Sequence, residues 1–302
     1  MWPWPKLNKS GKKIASGPPS IELITPRKEI AEIKKHVFNR INEDRRGHGL
    51  KPVQWDELAA RVGDAHCREM LEHGYQSHWN LQGFKPYHRY SFAGGTDSVH
   101  ENCCSLTIIG YSHSSLSAVQ EEAIKRHASM MAELPPDDGH RNNILNPFHT
   151  HVGIGFAYDE SGLRMTEEFV DRYVKLESWV PPQTTVKRPL TLQGRPLNRE
   201  HHISSIAVFY EQFPTPMTVG ELNRTHGYDL PDKVDNEYPK CDPGTHYSDG
   251  STGSIHINSD GSFECPIRFK QKRPGLYTNC IWLKDNVGNG IPVTHLTVWV
   301  RR

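Results

Sequence analysis

The stretch DDGHRNNILNPFHTHVGIGFAY, residues 137–158, sets His140, His149 and His151 within twelve positions, directly ahead of a run that reads as a buried strand. Imidazole changes charge near neutral pH and ligates metals as the neutral ring, so proton transfer and metal binding are the chemistries to test here. His149 and His151 alternate at period 2 and can share one side of a strand, where two imidazoles can hold a metal; a pair flanking a turn is more commonly half-exposed surface. Upstream, His66, Glu69 and His73 share a helix face at i, i+3 and i+7, a spacing that suits a metal but more often marks a solvated face. Ser112 beside His113 in GYSHSS reads as polar loop, because side chains adjacent in sequence rarely form a nucleophile–base pair. No His-Glu-x-x-His, P-loop or Gly-x-Ser-x-Gly motif occurs. That leaves His140, whose neighbourhood is the most informative.

These residues need elements to hold them. Thr25-Pro26 followed by RKEIAEIKKHVFNRINEDRRGHG predicts a helix, with Thr25 as cap, Pro26 in the first turn, and Ile30, Ile33, Val37 and Ile41 on one face. A second amphipathic helix begins near Trp55, carries Leu58, Val62 and Ala65, and stops at Gly74. After a Gly-rich loop, SSLSAVQEEAIKRHASMMAE predicts a third, broken by Pro135-Pro136. HVGIGFAY and LRMTEEFVDRYV then predict two strands about the turn DESG. Helices followed by strands indicate an α+β layer arrangement for residues 27–178. Residues 1–26 read as a flexible basic tail without the apolar run of a signal peptide. Proline-rich residues 179–198 read as a linker running into the first strand of a second domain. Residues 199–302 show only short alternating strands with a hairpin signal at Ser259-Asp260-Gly261, which suggests an antiparallel, immunoglobulin-like sandwich.

The totals narrow the function classes. A chain of 302 residues can hold two domains. Its 36 basic and 35 acidic residues leave a net charge of +1, so electrostatics give no case for nucleic acid. Mean hydropathy is −0.67, and no run approaches the length of a membrane span. The six cysteines, Cys67, Cys103, Cys104, Cys241, Cys265 and Cys280, form no Cys-x-x-Cys pair. They are compatible with disulfides in an oxidising compartment and equally with six reduced thiols.

Four segments now fall in order: SHWNLQGFKPYHRYSFAGG around His78, HENCC around Glu101, MMAELPPDDGHRNNILNPFHTHVGIGF around Glu133 and His140, and MTEEFV. Together they resemble the bacterial branch of the CAP superfamily, which includes cysteine-rich secretory proteins, insect venom allergens and plant pathogenesis-related proteins. The resemblance covers residues 27–178 and implies an α-β-α sandwich whose cleft is lined by two histidines and two glutamates. Carried over residue by residue, these are His78, Glu101, Glu133 and His140. Glu121 and Glu122 compete with Glu133 but lie too early on the third helix. The resemblance implies His78 and His140 as ligands of a divalent metal, with zinc the natural ion for two neutral imidazoles. Glu101 and Glu133 would accept the second ring N–H or hold a bound water. The bland alternative is a hydrogen-bonded polar cluster pinning helices to the sheet.

Departures from the family pattern are specific. His100 stands where glycine is usual and would add a nitrogen near the cleft. Thr166-Glu167-Glu168-Phe169 replaces Thr-Gln-x-Phe, and a cleft-facing Glu167 would favour a cation. The disulfides of eukaryotic members are missing, although Cys67 with Cys103 or Cys104 is one available pairing. The family habit implies a secreted protein whose cleft binds the metal and a small or lipid-like ligand. A metal-dependent hydrolase with Glu101 or Glu133 as general base is a second reading. An adhesion or scaffold protein contacting a cell-surface or wall component through the β-sandwich is a third. Fold membership assigns no reaction.

Overall fold

The computed structural model describes residues 17–23, 25, 27–107 and 115–302. Most of the N-terminal tail, Pro26 and the Ser112-His113 pair lie outside the described residues. Helix α1, Lys28–Gly47, buries Ile33, Val37 and Ile41 along one stripe, as its 3.6-residue period requires. Its N-cap is Arg27, without a side-chain cap bond, so Thr25 does not cap it. After β1, Gln54–Trp55, comes α2, Glu57–His73. It starts where Asp56 accepts from the Ala59 N–H at 2.7 Å and ends at Gly74, whose left-handed φ of 69° suits glycine.

The segment read as a Gly-rich loop is more ordered than expected. It holds helix α3, Pro86–Phe92, and strand β2, Ser98–Thr107. Helix α4, Leu116–Met131, and the short α5, Gly139–Ile144, lead to β3, His151–Asp159, and β4, Gly162–Asp171. The sheet order is β1-β3-β4-β2, with β1 parallel to β3 and the other pairs antiparallel. Period-2 alternation sorts the side chains onto two faces. Val152, Ile154, Phe156, Met165 and Phe169 share a core with α1 and α4. On the other face, Cys103 and Ala157 pack with Cys67 and Met70 of α2, and Val99 and Val170 with Ala59. This is the α-β-α sandwich.

The remaining strands begin before residue 199 and include part of the stretch read as linker. They are β5 Val174–Leu176, β6 Gln183–Thr185, β7 Leu190–Pro196 and β8 His202–Glu211. After the one-turn helix α6, Val219–Leu222, follow β9 Val234–Glu237, β10 His256–Ile257, β11 Phe263–Ile267, β12 Gly275–Lys284, β13 Gly290–Pro292 and β14 Leu296–Arg301. One sheet runs β10-β11-β7-β5. The other runs β6-β14-β12-β8-β9, with β13 also on β12. Leu192, Phe263 and Ile267 of the first sheet meet Ile206, Tyr277, Ile281 and Val298 of the second in one core, which makes this half a β-sandwich.

The two halves dock through the outer edge of β2. An edge strand leaves backbone groups unpaired, and the C-terminal half supplies partners. Ser98 N–H donates to the Val293 carbonyl at 3.0 Å, and Val99 N–H to His295 Nδ1 at 3.3 Å. Phe84 joins Leu276 and Trp299 in a shared cluster. All six cysteines are free thiols, including Cys67, Cys103 and Cys104, so the expected pairing among those three is not formed. No helix among the described residues is long and apolar enough to cross a membrane.

Candidate functional site

The sheet edge that docks the halves also carries the site. Consecutive residues of β2 face opposite sides, so Glu101 points toward α2 and α3 while Asn102 points toward α4 and α5. Glu101 Oε1 meets His78 Nδ1 at 2.8 Å, and its Oε2 accepts from Arg89 Nη2 at 2.5 Å. Arg89 also donates to the His78 carbonyl at 2.6 Å and to the Phe84 carbonyl at 3.2 Å, so one buried guanidinium fixes both the carboxylate and the loop that carries His78. That loop is tied to α2 as well: Ser77 O accepts from His66 Nε2 at 2.7 Å, and Glu69 Oε1 from the Leu81 N–H at 2.7 Å.

On the other face, Glu133 Oε1 meets His140 Nδ1 at 2.5 Å, and Glu133 Oε2 takes the His140 backbone N–H at 3.0 Å. Asn102 Nδ2 donates to the His140 carbonyl at 3.2 Å. Thus β2 anchors one histidine from each side. Each Nδ1 is held by a carboxylate, and neither Nε2 has a hydrogen-bond partner among the described residues. His78 is pushed down to about 4 by burial first, then by the charges of Arg89 and His140, so its ring is neutral at pH 7. The influence of His140 on His78 places the two rings in electrostatic range of one another. Among the described residues no group of three or more His, Cys, Asp or Glu side chains is arranged to hold a metal, so the two imidazoles would be its only ligands from those residue types.

The other sequence candidates take structural roles. His66, read on a solvated face, is buried, and Glu69 is occupied by Tyr75 and Leu81. His149, read as surface, is buried between Asp171 at 2.6 Å and Asn143 at 2.9 Å and stacks on Phe169. The half-buried His151 contacts Thr150 and Arg172. His100 packs against His149 and His295 at the junction of the halves rather than beside His78.

Glu167 does not face the two rings. It is fully buried and meets His127 Nδ1 at 2.6 Å, while Asp44 meets His127 Nε2 at 3.0 Å. Burial opposes a charge on this imidazole, but the two carboxylates outweigh it and raise its pKa. A raised histidine stabilises the fold fully below its unfolded pKa of about 6.5, and that contribution is lost as pH rises through the folded value. His127→Gln is therefore expected to cost about 3 kcal/mol at pH 6, with the gap to wild type narrowing by pH 9. Urea denaturation across that range checks it, and a gap that widens with pH would contradict it.

Sequence reasoning missed Arg89, Glu168 and Tyr228. Glu168 lies opposite Glu101 in the strand register, and both side chains are buried. Burial and the Glu101 charge raise Glu168 well above the ordinary range, so it holds a proton and donates to Glu101. Two glutamates in succession at 167 and 168 were the available signal: on a strand sandwiched by helices, each must be buried on a different face.

A cavity of about 750 Å³ lies apart from these rings, between Tyr90, Asp97 and Arg172 of the first half and Leu176, Trp179 and Leu197 of the second. His78 and His140 do not line it.

An α-β-α sandwich with a His–Glu pair on either side of its edge strand defines a CAP-type domain. Residues 38–170 match the cysteine-rich secretory protein family, CAP, and through this domain the chain belongs to the CAP superfamily. It is 29% identical over 143 residues to the uncharacterized protein YkwD of Bacillus subtilis (strain 168), a match covering 47% of this chain and 49% of that protein. The chain thus spans about half the length of that relative. An extracellular protein containing an SCP domain from Bacillus anthracis matches with a TM-score of 0.38 at 25% identity, over 49% of this chain and 44% of the other. An outer surface protein of Borrelia burgdorferi matches with a TM-score of 0.36 at 17% identity, over 47% and 93%.

Proposed function

We propose that the CAP cleft binds a divalent cation, zinc in the first instance, through Nε2 of His78 and His140. The observation that carries this is the pair of tautomers. Each carboxylate holds a proton on Nδ1, which leaves the Nε2 lone pair for a metal and raises its basicity. Such an ion would keep open positions for water or a ligand and would supply Lewis acidity there. Glu101 is spent on His78 and Arg89 and fully buried, so it is poorly placed to act as a base; Glu133, partly exposed, is the carboxylate that solvent reaches. Binding is therefore favoured over hydrolysis.

Zinc titration by calorimetry on the full chain tests the reading. One-to-one binding is expected, weakened at least about 100-fold in His78→Ala plus His140→Ala, since removing both nitrogens leaves no ligand in the cleft. Unchanged binding in the double variant would locate the zinc elsewhere and end the reading. In Glu133→Gln, loss of about tenfold in affinity is the expected size of a carboxylate that only orients a ligand.

A further inference from the structure

The C-terminal half reaches into the His78 side of the cleft. Residues 225–233, between α6 and β9, have no regular secondary structure. With the residues just before them, they lie along the segment of the CAP domain that carries His78. Asn223 Oδ1 accepts from the Gln76 N–H at 3.0 Å, and the Thr225 carbonyl accepts from Ser77 Oγ at 3.1 Å. The Gly227 carbonyl accepts from Trp79 Nε1 at 2.7 Å, and the Asp229 carbonyl from Lys85 Nζ at 2.9 Å. Between the last two sits Tyr228. Its ring centroid is 4.6 Å from that of His78, tilted by 52°. Its hydroxyl accepts from the Glu101 N–H at 2.8 Å and donates to the Glu101 carbonyl at 3.2 Å.

The double bond to Glu101 has a topological reason. In an antiparallel pair every second residue of an edge strand turns both backbone groups outward. Strand β2 is such an edge, and one hydroxyl satisfies the outward donor and acceptor of Glu101 together. Tyr228 also leans on the cluster of Ala59, Tyr87, Tyr90, Val99 and Val170. Its ring is therefore fixed from two sides beside the His78 imidazole, whose side chain is only 15% exposed against 35% for His140.

We propose that Tyr228 is the specificity-determining wall of the cleft, supplied by the C-terminal half, and that it shields the His78 ring so that ligands approach from the His140 side. The inference goes beyond the cation reading and stands whether or not a cation binds. The shield is the ring, not the hydroxyl, and this separates the wall from a purely structural role.

Diethyl pyrocarbonate, which acylates an unprotonated imidazole nitrogen, measures access without metal. The nitrogen read in both histidines is Nε2, because Nδ1 is tied to a glutamate in each. On the full chain at pH 7, mass spectrometry would follow His78 and His140 in the same molecules. Tyr228→Ala is expected to speed His78 modification at least tenfold and leave His140 within twofold. Tyr228→Phe, which keeps the ring, is expected to stay within threefold of wild type at both. Should Tyr228→Ala not fold, Tyr228→Leu preserves contact with the apolar cluster, and a fivefold rise at His78 alone is expected. A His78 rate that does not change on loss of the ring overturns the proposal. So does a rise shared equally by His140, which would mean the cleft had loosened as a whole.

Discussion

Arg89→Met is expected to cost about 4 kcal/mol of stability at pH 7, because it leaves the Glu101 carboxylate in the interior without its cation. Arg89 is buried, and its Nη2 is the cationic partner of Glu101 Oε2. Burial raises Glu101 above the ordinary range even with the guanidinium in place. Neighbouring Glu168 contributes a held proton, not a second charge. The sign with pH follows from linkage. Without Arg89 the folded pKa of Glu101 moves farther above its unfolded value of about 4.3. The folded state then binds the proton more tightly than the unfolded chain, so the penalty grows as pH rises above the unfolded value and stops growing beyond the folded one.

The loss should accordingly be smaller at pH 5 than at pH 8. Adding Glu101→Gln to Arg89→Met removes the orphaned charge and should recover at least about 1 kcal/mol relative to additivity, as expected of residues in direct contact. Urea denaturation of the two single variants and the double variant at both pH values measures this. Additive losses, or a loss under about 1 kcal/mol for Arg89→Met, would show that Glu101 is solvated in solution and that the cluster is not a buried ion pair.

Much of this architecture was legible because most of its elements bury one face and expose the other. Helices α1, α2 and α4 and strands β3 and β4 follow apolar periodicity closely enough to be read directly. Strand β2 does not. SVHENCCSLT buries Ser98, Glu101 and Asn102, and its polar residues on both faces are satisfied by distant partners, so neither period 2 nor hydrophobicity marks it. Prolines near 181–182 and 189 made the start of the sandwich resemble a linker, although Leu190, Leu192 and Gly194 alternate inward along β7.

The site divides in the same way. His140 and Glu133 are seven residues apart, and the order of short motifs brought His78 and Glu101 into view as a resemblance. Arg89 and Glu168 act on Glu101 from across the domain, and Tyr228 reaches it from 127 positions away in the chain. No local pattern encodes such contacts; they arise from sheet register and from the docking of the second half on an edge strand. Histidine count was a poor guide for a related reason. His66, His127, His149 and His295 are buried and paired within the structure, so abundance signalled buried polar networks more than chemistry.

Gly155→Ala is expected to destabilise the protein by about 3 kcal/mol, the upper part of the range for forced overpacking, and to disturb His78 from a distance. Gly155 lies on β3 facing α2, where the helix approaches the sheet at Gly63. A Cβ on Gly155 would lie 2.3 Å from the carbonyl carbon and 2.5 Å from the Cα of Gly63, and 2.5 Å from Thr166 Oγ1. Two of those three atoms are backbone, which no rotamer change can move, so α2 itself must shift away from the sheet. Gly153 repeats the arrangement one turn of the pleat earlier, where a Cβ would come within 2.1 Å of the Ala60 nitrogen.

The consequence reaches the cleft because the loop carrying His78 hangs from α2 through His66 to Ser77 and Glu69 to Leu81, while Glu101 stays with the sheet. Lifting the helix therefore pulls His78 from Glu101, whose 2.8 Å contact fixes the tautomer. The His140–Glu133 pair hangs from α4 and α5 on the opposite face and should be unaffected. Denaturant unfolding combined with the ring-proton NMR shifts of both histidines tests this: stability should fall and the His78 resonances should move while those of His140 remain. A loss below about 1 kcal/mol would mean that the helix and strand have slack at this contact. Equal movement of both histidines would mean that the two faces of the sheet are not independent supports for the site.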